Sequence, residues 1–386
     1  MAYTSDKNKL LEEVLKLLAE DGFDGIGELL RIVLNAAMVV EREKYLGATS
    51  YERSAERRDY ANGFKPKTVQ TRVGELALAV PQVREGGFYP ASLEKGLRSE
   101  RALKLSIAEM YVQGVSTRKV AAITEQLCGF EVTSSQVSRA AAELDTVLEQ
   151  WRKRPLGAFA YLILDARYEK VRVNNVVIDE AVLVAVGVDS SGRRQVLGVS
   201  VALSEAEAHW RTFLQSLQER GLTGVQLIIS DDHAGLRAAR QAILPSVPWQ
   251  RCQFHLQQNA QAYVTKQDLR KSVAADIRAI FNAPSRVEAE RLLKLTVHKY
   301  AQCQSKLASW MEENLPEGFT VFQFPAEHWR RLRTTNVLER VNKEIRRRTR
   351  VATLFPNEAS CLRLVSAVLM EISDDWQTDK VYLNMS

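Results

Sequence analysis

The strongest constraint on the fold is a change of texture after Trp151–Gly157 (WRKRPLG). Helical periodicity gives way there to three apolar segments in succession: AYLILDARYEKVRV, VIDEAVLVAVGVD and RRQVLGVSVAL. They are rich in β-branched residues, and Ser190-Ser191-Gly192 supplies a turn between the second and third, so they read as consecutive strands. An amphipathic helix follows from Glu205 to about Arg220 and is ended by Gly221. Then come a strand at VQLIIS, a helix from Gly235 to Leu244, and a fifth strand around Trp249 to His255. A meander of three strands followed by α, β, α and β predicts an α/β core on a mixed five-stranded sheet. From about Gln257 to Glu327 the pattern is helical and polar, as expected of an all-α insertion.

The segments before this core are mainly helical. Leu10, Val14, Leu17 and Leu18 repeat at helix spacing, Asp21–Gly27 (DGFDGIG) breaks the pattern, and Leu29 to Val40 resumes it. The face of Leu29, Ile32, Val33, Ala36 and Val40 suits either a core or a dimer contact. From Tyr51 to Pro90 the chain is polar and basic (Arg53, Arg57, Arg58, Lys65, Lys67, Arg72), and TVQTRVGELALAV predicts a hairpin bending near Gly74-Glu75. Between Glu100 and Arg154, Ser116 is placed to cap a helix running to about Leu127. Gly129 interrupts, and Ser134 or Ser135 is placed to cap another. Two short helices around a glycine turn fit a helix-turn-helix, with Arg118 on the first and Ser135, Gln136, Ser138 and Arg139 offered to a DNA groove by the second. An ordinary helical hairpin fits the same pattern.

Charge is concentrated in one place. His328–Arg350 (HWRRLRTTNVLERVNKEIRRRTR) carries nine Arg or Lys against two Glu, a local +7 in a chain whose total is +6. The remainder therefore sums to about −1, and the basic surface is focused. Such a surface attracts polyanions, most often a nucleic-acid backbone. Its cationic residues are Arg330, Arg331, Arg333, Arg340, Lys343, Arg346, Arg347, Arg348 and Arg350. Glu339 lies in their midst. Either it caps the helix, since N-x-x-E from Asn336 resembles a capping box, or it holds a metal ion. Val337, Val341 and Ile345 form the apolar stripe that would dock this helix on a core.

Two further carboxylates stand at strand positions. Asp165 ends the apolar run AYLIL, and by itself it either marks the strand end or pairs with Arg167. Asp231 follows VQLIIS and precedes a helix, the position where open α/β sheets bind ligands. Carboxylates brought together repel, so they are protonated or share a cation, and oxygen ligands of this kind select Mg²⁺ or Mn²⁺. Asp232 is adjacent, but alternation along a strand lets only one of the pair face the site, and Asp231 is preferred.

Cys252 and His255 (CQFH) have metal-like spacing without a second pair, which argues against structural zinc and for a hydrogen-bonding histidine near the sheet. Trp210, Trp310 and Trp329 read as core residues, although Trp329 beside Arg330 could also stack on an unpaired base. The cysteines, Cys128, Cys252, Cys303 and Cys361, are scattered, as expected in a reducing cytosol. No leader or membrane-spanning segment is read, because no apolar run nears the roughly 18 residues a bilayer requires. A sequence pI near 9.0 fits an acidic partner.

LILDARYEKVR, IISDDHAGL, CQFH and RTTNVLERVNKEIRRRTRVATLFPN occur in that order, and together they resemble bacterial insertion-sequence transposases of the Mutator-related superfamily over nearly the whole chain. The resemblance implies a ribonuclease H-like core with an Asp-Asp-Glu triad on Asp165, Asp231 and Glu339. It also implies a helical insertion before the glutamate and a cytoplasmic, nucleoid-associated enzyme. Asp232 departs from the pattern, in which a glycine often stands there. The expected organisation is an N-terminal helical and basic DNA-binding or dimerisation region (1–95), a helix-turn-helix-like domain (96–154), the first part of the core (155–256), the insertion (257–327), and C-terminal core helices bearing the glutamate (328–386). The expected chemistry uses two Mg²⁺ or Mn²⁺ ions, Asp165 bridging them and Asp231 and Glu339 each completing one. The expected partners are double-stranded DNA, as terminal inverted repeats and target, and further copies of the chain in a homodimer or higher oligomer. Two rivals retain parts of this reading: a DNA-binding regulator without catalysis, and a nuclease or resolvase that cuts but does not join.

Overall fold

The computed structural model describes residues 2–50, 52–93, 95, 98–350, 354–378 and 381–385, with side chains from residue 9 onward. The chain divides into two compact units, residues 1–143 and 144–386.

In the first unit, α1 (Ala2–Asp21) and α2 (Ile26–Leu46) form a helical pair, and β1 (Ala61–Thr71) and β2 (Gly74–Val83) an antiparallel hairpin. Its turn is Arg72-Val73, with Thr71 opposite Gly74, whose φ of +112° an L side chain rarely adopts. Helix α2 packs on β2 by an inner face that differs from the expected one. Ile32, Met38, Arg42 and Leu46 are buried, Met38 packing with Leu76, Leu78 and Val80 of β2, whereas Val33 and Val40 are exposed. The arginine was invisible to a polarity pattern because its stem is buried while Nη1 donates to the carbonyl of Gly63 (3.3 Å).

Next come α3 (Arg101–Val112), α4 (Thr117–Cys128) and α5 (Ser134–Ala142), which close around Leu103, Ile107, Val120, Val132, Val137 and Ala140. Ser116 caps α4, accepting from Lys119 N (3.3 Å), and Gly129 ends it in the left-handed region. The cap of α5 is Thr133 and not Ser134 or Ser135; Gln136 closes a capping box with it. The division between units follows α5 directly, so α6 (Asp145–Lys153) belongs to the second unit and not to the 96–154 block. The boundary read at 95/96 falls among Glu94, Gly96 and Leu97, which lie outside the described residues.

The second unit is built on β3 (Phe159–Val173), β4 (Val176–Asp189), β5 (Arg194–Ala202), β6 (Leu227–Ser230) and β7 (Trp249–Arg251), in the order β5-β4-β3-β6-β7. The first three strands are an antiparallel meander; β6 joins β3 in parallel, and β7 joins β6 in parallel. Because β3 is buried on both faces, its apolar run is continuous. Leu162 and Leu164 pack with Trp210, Phe213, Leu217, Leu236 and Ala239, which come from α7 (Glu207–Glu219) and α8 (Ala234–Ile243). The alternate residues face the other way, so the sheet is the middle of three layers.

The insertion comprises α9 (Gln253–Gln261), α10 (Leu269–Phe281), α11 (Arg286–Ala301), α12 (Ser305–Asn314) and two short 3-10 turns to Gln323. It has its own core, including Leu256, Val273, Ile277, Leu293, Met311 and Phe319. The second layer over the sheet is α13 (Ala326–Leu332), α14 (Asn336–Thr349) and α15 (Glu358–Thr378). Val337, Val341 and Ile345 are buried along the docking face of α14, as their spacing predicted.

Candidate active site

The hydrogen-bonded pairing of β3 with β6 brings two aspartates level. Ile163 pairs with Ile229, an offset of 66 residues, and the same offset carries Asp165 onto Asp231, just beyond the end of β6. Asp165 is not at a strand end: β3 continues to Val173, and Asp165 pairs with Val184 of β4. It has instead outrun its shorter neighbour β6. Nor does it pair with Arg167, which bridges Glu169 (2.6 Å) and donates to the carbonyl of Asn342. Oδ1 of Asp165 accepts from Ala166 N (3.0 Å) and Oδ2 from Asn342 Nδ2 (2.8 Å). Burial, and then the charge of Asp231, push the Asp165 carboxyl up to about 7.

Asn342 is on α14, three residues after Glu339, and residues so spaced share a helix face. The contact with Asp165 therefore draws the Glu339 face of the helix toward the aspartates. The capping alternative for Glu339 is excluded by the helix start. The N-cap is Thr335, no side chain closes a cap there, and Oε1 of Glu339 is buried without a hydrogen-bond partner. Glu339 lines a cleft of about 410 Å³ with Arg330, Arg331, Arg333, Arg340 and Tyr382. Asp165 and Asp231 thus lie side by side, and Asn342 ties the Glu339 helix to Asp165, although among the described residues no group of three acidic, histidine or cysteine side chains is closed tightly enough to hold a metal ion.

Asp232 is turned to a different task. It bridges Arg237 (2.6 Å) and the buried Arg251 (3.1 Å), and Glu317 joins both arginines at 2.8 Å. That network ties the loop after β6 to the insertion and leaves Asp231 as the carboxylate beside Asp165.

Cys252 and His255 fall at this same end. His255 lies on α9 and not on the fifth strand, which stops at Arg251. The Cys252 thiol beside it, with the charges of Asp231 and Asp165, raises the imidazole to about 9. Its Nδ1 is buried without a hydrogen-bond partner among the described residues. Burial pushes the thiol up, but His255 and the donor Thr335 outweigh it and hold the thiol below its usual range.

The cationic residues separate into two groups. Arg330, Arg331, Arg340, Lys343, Arg346 and Arg350 are exposed. Arg348 is buried between Glu344 (3.0 Å) and Glu371 (3.0 Å), Arg347 pairs with Glu344 (2.7 Å), and Arg333 donates to Asn282 (2.6 Å). In the first unit Arg118 and Arg139 are exposed, whereas the Gln136 amide oxygen accepts from Thr133 N (2.8 Å) in the capping box. Trp329 is taken up in packing: it stacks edge-on against Phe322 (4.9 Å) and its Nε1 donates to Phe324 O (2.7 Å).

Two residues the sequence did not single out join the site. Asn342 could have been found from its place one turn after Glu339. Glu205, whose charge helps to raise Asp165 and which is itself raised by burial and by the charge of Asp231, gave no local signal, because it lies in a connection between β5 and α7.

Comparison with known proteins places the chain in a family. Residues 2–379 match the family model described as Transposase, Mutator family. The chain belongs to the Mutator family of transposases. Within that family it is 62% identical over 378 residues to the transposase for insertion sequence element IS406 of Burkholderia multivorans, covering 97% of each. It is 43% identical to the transposase for ISRM5 of Rhizobium meliloti (99% of this chain, 96% of the relative). The transposase for IS256 in transposon Tn4001 of Staphylococcus aureus is 35% identical, over 98% of this chain and 97% of its own. Among its described residues no helix is long and apolar enough to cross a membrane.

Proposed function

We propose that the chain is an insertion-sequence transposase that binds the terminal inverted repeats of its element, cleaves at the ends to free 3′-hydroxyls, and joins these to target DNA. The observation that carries the reading is the register that sets Asp231 level with Asp165, together with the Asn342 bond that ties Asp165 to α14, whose Glu339 lines an arginine-rich cleft, in a chain of the Mutator family. The strand order, an antiparallel meander extended by two parallel strands, supports a ribonuclease H-like core.

Three carboxylates are the donor chemistry that suits a hard divalent cation, although among the described residues no three such side chains are closed around one position. Oε1 of Glu339 is buried and unpartnered, and repulsion from Asp231 helps to keep a proton on Asp165. Asp165, Asp231 and Glu339 would hold Mg²⁺ or Mn²⁺, two ions per site, which when bound supply positive charge at the phosphate undergoing substitution. The protein's own part begins with the loss of the Asp165 proton, which frees both oxygens as acceptors. Asn342 then fixes the rotation of that carboxylate, and Arg330, Arg331 and Arg340 hold the flanking phosphates.

In the first reaction a water oxygen bonds to phosphorus and the 3′ oxygen departs, taking a proton to become a hydroxyl. In the second, that hydroxyl bonds to a target phosphorus and displaces the target's own 3′ oxygen. One phosphodiester bond replaces another, so no nucleotide triphosphate is consumed. The exposed Arg118 and Arg139 support repeat recognition by the helical N-terminal unit, and joining two ends calls for at least two copies of the chain.

The test is nicking and joining of element-end DNA with Mg²⁺ by Asp165→Asn, Asp231→Asn and Glu339→Gln proteins. Loss of both reactions in all three is expected. A wild-type rate from any one removes that residue from the triad. Binding by the wild-type chain without cleavage would make it a regulator, and cleavage without joining would make it a nuclease.

A further inference from the structure

The loop that leads into the Glu339 helix is held by one buried residue. Thr335, the N-cap of α14, is fully buried, and no side chain caps the helix in the usual way. Instead both its N–H and its hydroxyl donate to Sγ of Cys252, at 3.4 and 3.5 Å. The main chain on either side of that sulfur is also fixed. Cys252 N donates to the carbonyl of Ser230 (2.7 Å), the residue before Asp231, and Gln253 N donates to the carbonyl of Arg333 (2.9 Å). Cys252 thus grips the strand end that delivers Asp231 and the helix start that delivers Glu339.

We propose that Cys252 is a positioning residue whose sulfur caps the Glu339 helix and sets the separation of Asp231 from Glu339. The inference rests on the assignment of those two carboxylates to the reaction. Sulfur suits the task because its long bonds and large radius accept at the distances seen here, where a serine oxygen in the same rotamer would fall short yet still face the donors. Alanine leaves two donors of a fully buried residue without an acceptor. The helix start then shifts or frays, and Glu339, one turn in, moves with it.

The experiment compares full-length wild type with Cys252→Ala, Cys252→Ser and Ile277→Ala. Ile277 lies in the core of the insertion, away from the site, and controls for a general loss of stability. Amide exchange is followed first in the metal-free protein, over residues 335–342. Cys252→Ala is expected to speed exchange there by about tenfold or more, Cys252→Ser to restore most of the protection, and Ile277→Ala to leave the segment unchanged. In single-turnover nicking, Cys252→Ala should lower the rate about 10- to 100-fold and raise the Mg²⁺ concentration for half-maximal rate, with DNA affinity unchanged. Wild-type exchange and wild-type Mg²⁺ dependence in Cys252→Ala would overturn the proposal, as would the same changes in Ile277→Ala. Full activity of Asp231→Asn or Glu339→Gln would instead overturn the site assignment, and the exchange data would still decide whether Cys252 caps the helix.

Discussion

Asp165 and Asn342, 177 residues apart in the chain, meet in one hydrogen bond of 2.8 Å between Asn342 Nδ2 and Asp165 Oδ2. With the bonds of Arg167 to the Asn342 carbonyl and of Thr349 to Glu169, it links the central strand directly to the helix that carries Glu339. Removing the amide in Asn342→Ala should slow end cleavage about tenfold, or about 1.4 kcal/mol in the barrier, with DNA affinity little changed. Single-turnover nicking at saturating DNA checks this, and an unchanged rate would show that the carboxylate is oriented by other means.

Stability of the metal-free protein should fall as pH rises. Asp165 is raised from 3.8 to about 7, so between these values the native state keeps a proton that the unfolded chain has lost. Native binding of more protons makes stability decline with pH, here by up to ~4 kcal/mol between pH 4 and 7. His255, raised from 6.5 to about 9, has the same sign: its contribution is full below pH 6.5 and is lost by pH 9. Denaturant unfolding with a chelator should show the decline, and Asp165→Asn should flatten its acidic part.

The neighbouring aspartates should separate cleanly. Asp232→Asn weakens the network around buried Arg251 and should cost about 1–3 kcal/mol of stability while leaving cleavage near wild type, since Glu317 and Asn314 remain on that arginine. Asp231→Asn should abolish cleavage without loss of stability, because it removes a charge that repels Asp165. Thermal unfolding and nicking of both variants decide the matter.

Reversing Arg340 and Arg346 to Glu should weaken DNA binding and lower the slope of log affinity against log salt by about 2 or more, given roughly 0.9 per phosphate contact. Arg348→Ala should leave that slope unchanged and lower stability, because this arginine is buried against Glu344 and Glu371. A salt titration of binding distinguishes these outcomes.

Strand and helix texture was legible from residue 159 onward because both faces of the sheet are covered, which demands continuous apolar runs. The stripe Val337, Val341 and Ile345 was legible for a related reason: only one face of α14 is buried. By contrast, Thr133 took the cap expected of Ser134 or Ser135, since several adjacent hydroxyls can each begin a helix and local sequence ranks them weakly. Arg348, expected in the basic surface, is buried because burial of an arginine depends on acceptors such as Glu371 that are distant in sequence.

The sequence by itself determined the order of strands and helices, the concentration of positive charge, and the three carboxylates worth examining, because periodicity and composition are local properties. Tertiary structure alone decided which of those groups meet. A constant offset of 66 residues along two parallel strands sets Asp231 level with Asp165, and an ion-pair network turns Asp232 away. The sulfur of Cys252 takes the place of a side-chain cap and leaves Glu339 uncommitted. Each outcome depends on partners far apart in the chain, whose approach is fixed by packing and hydrogen-bond geometry that no local pattern encodes.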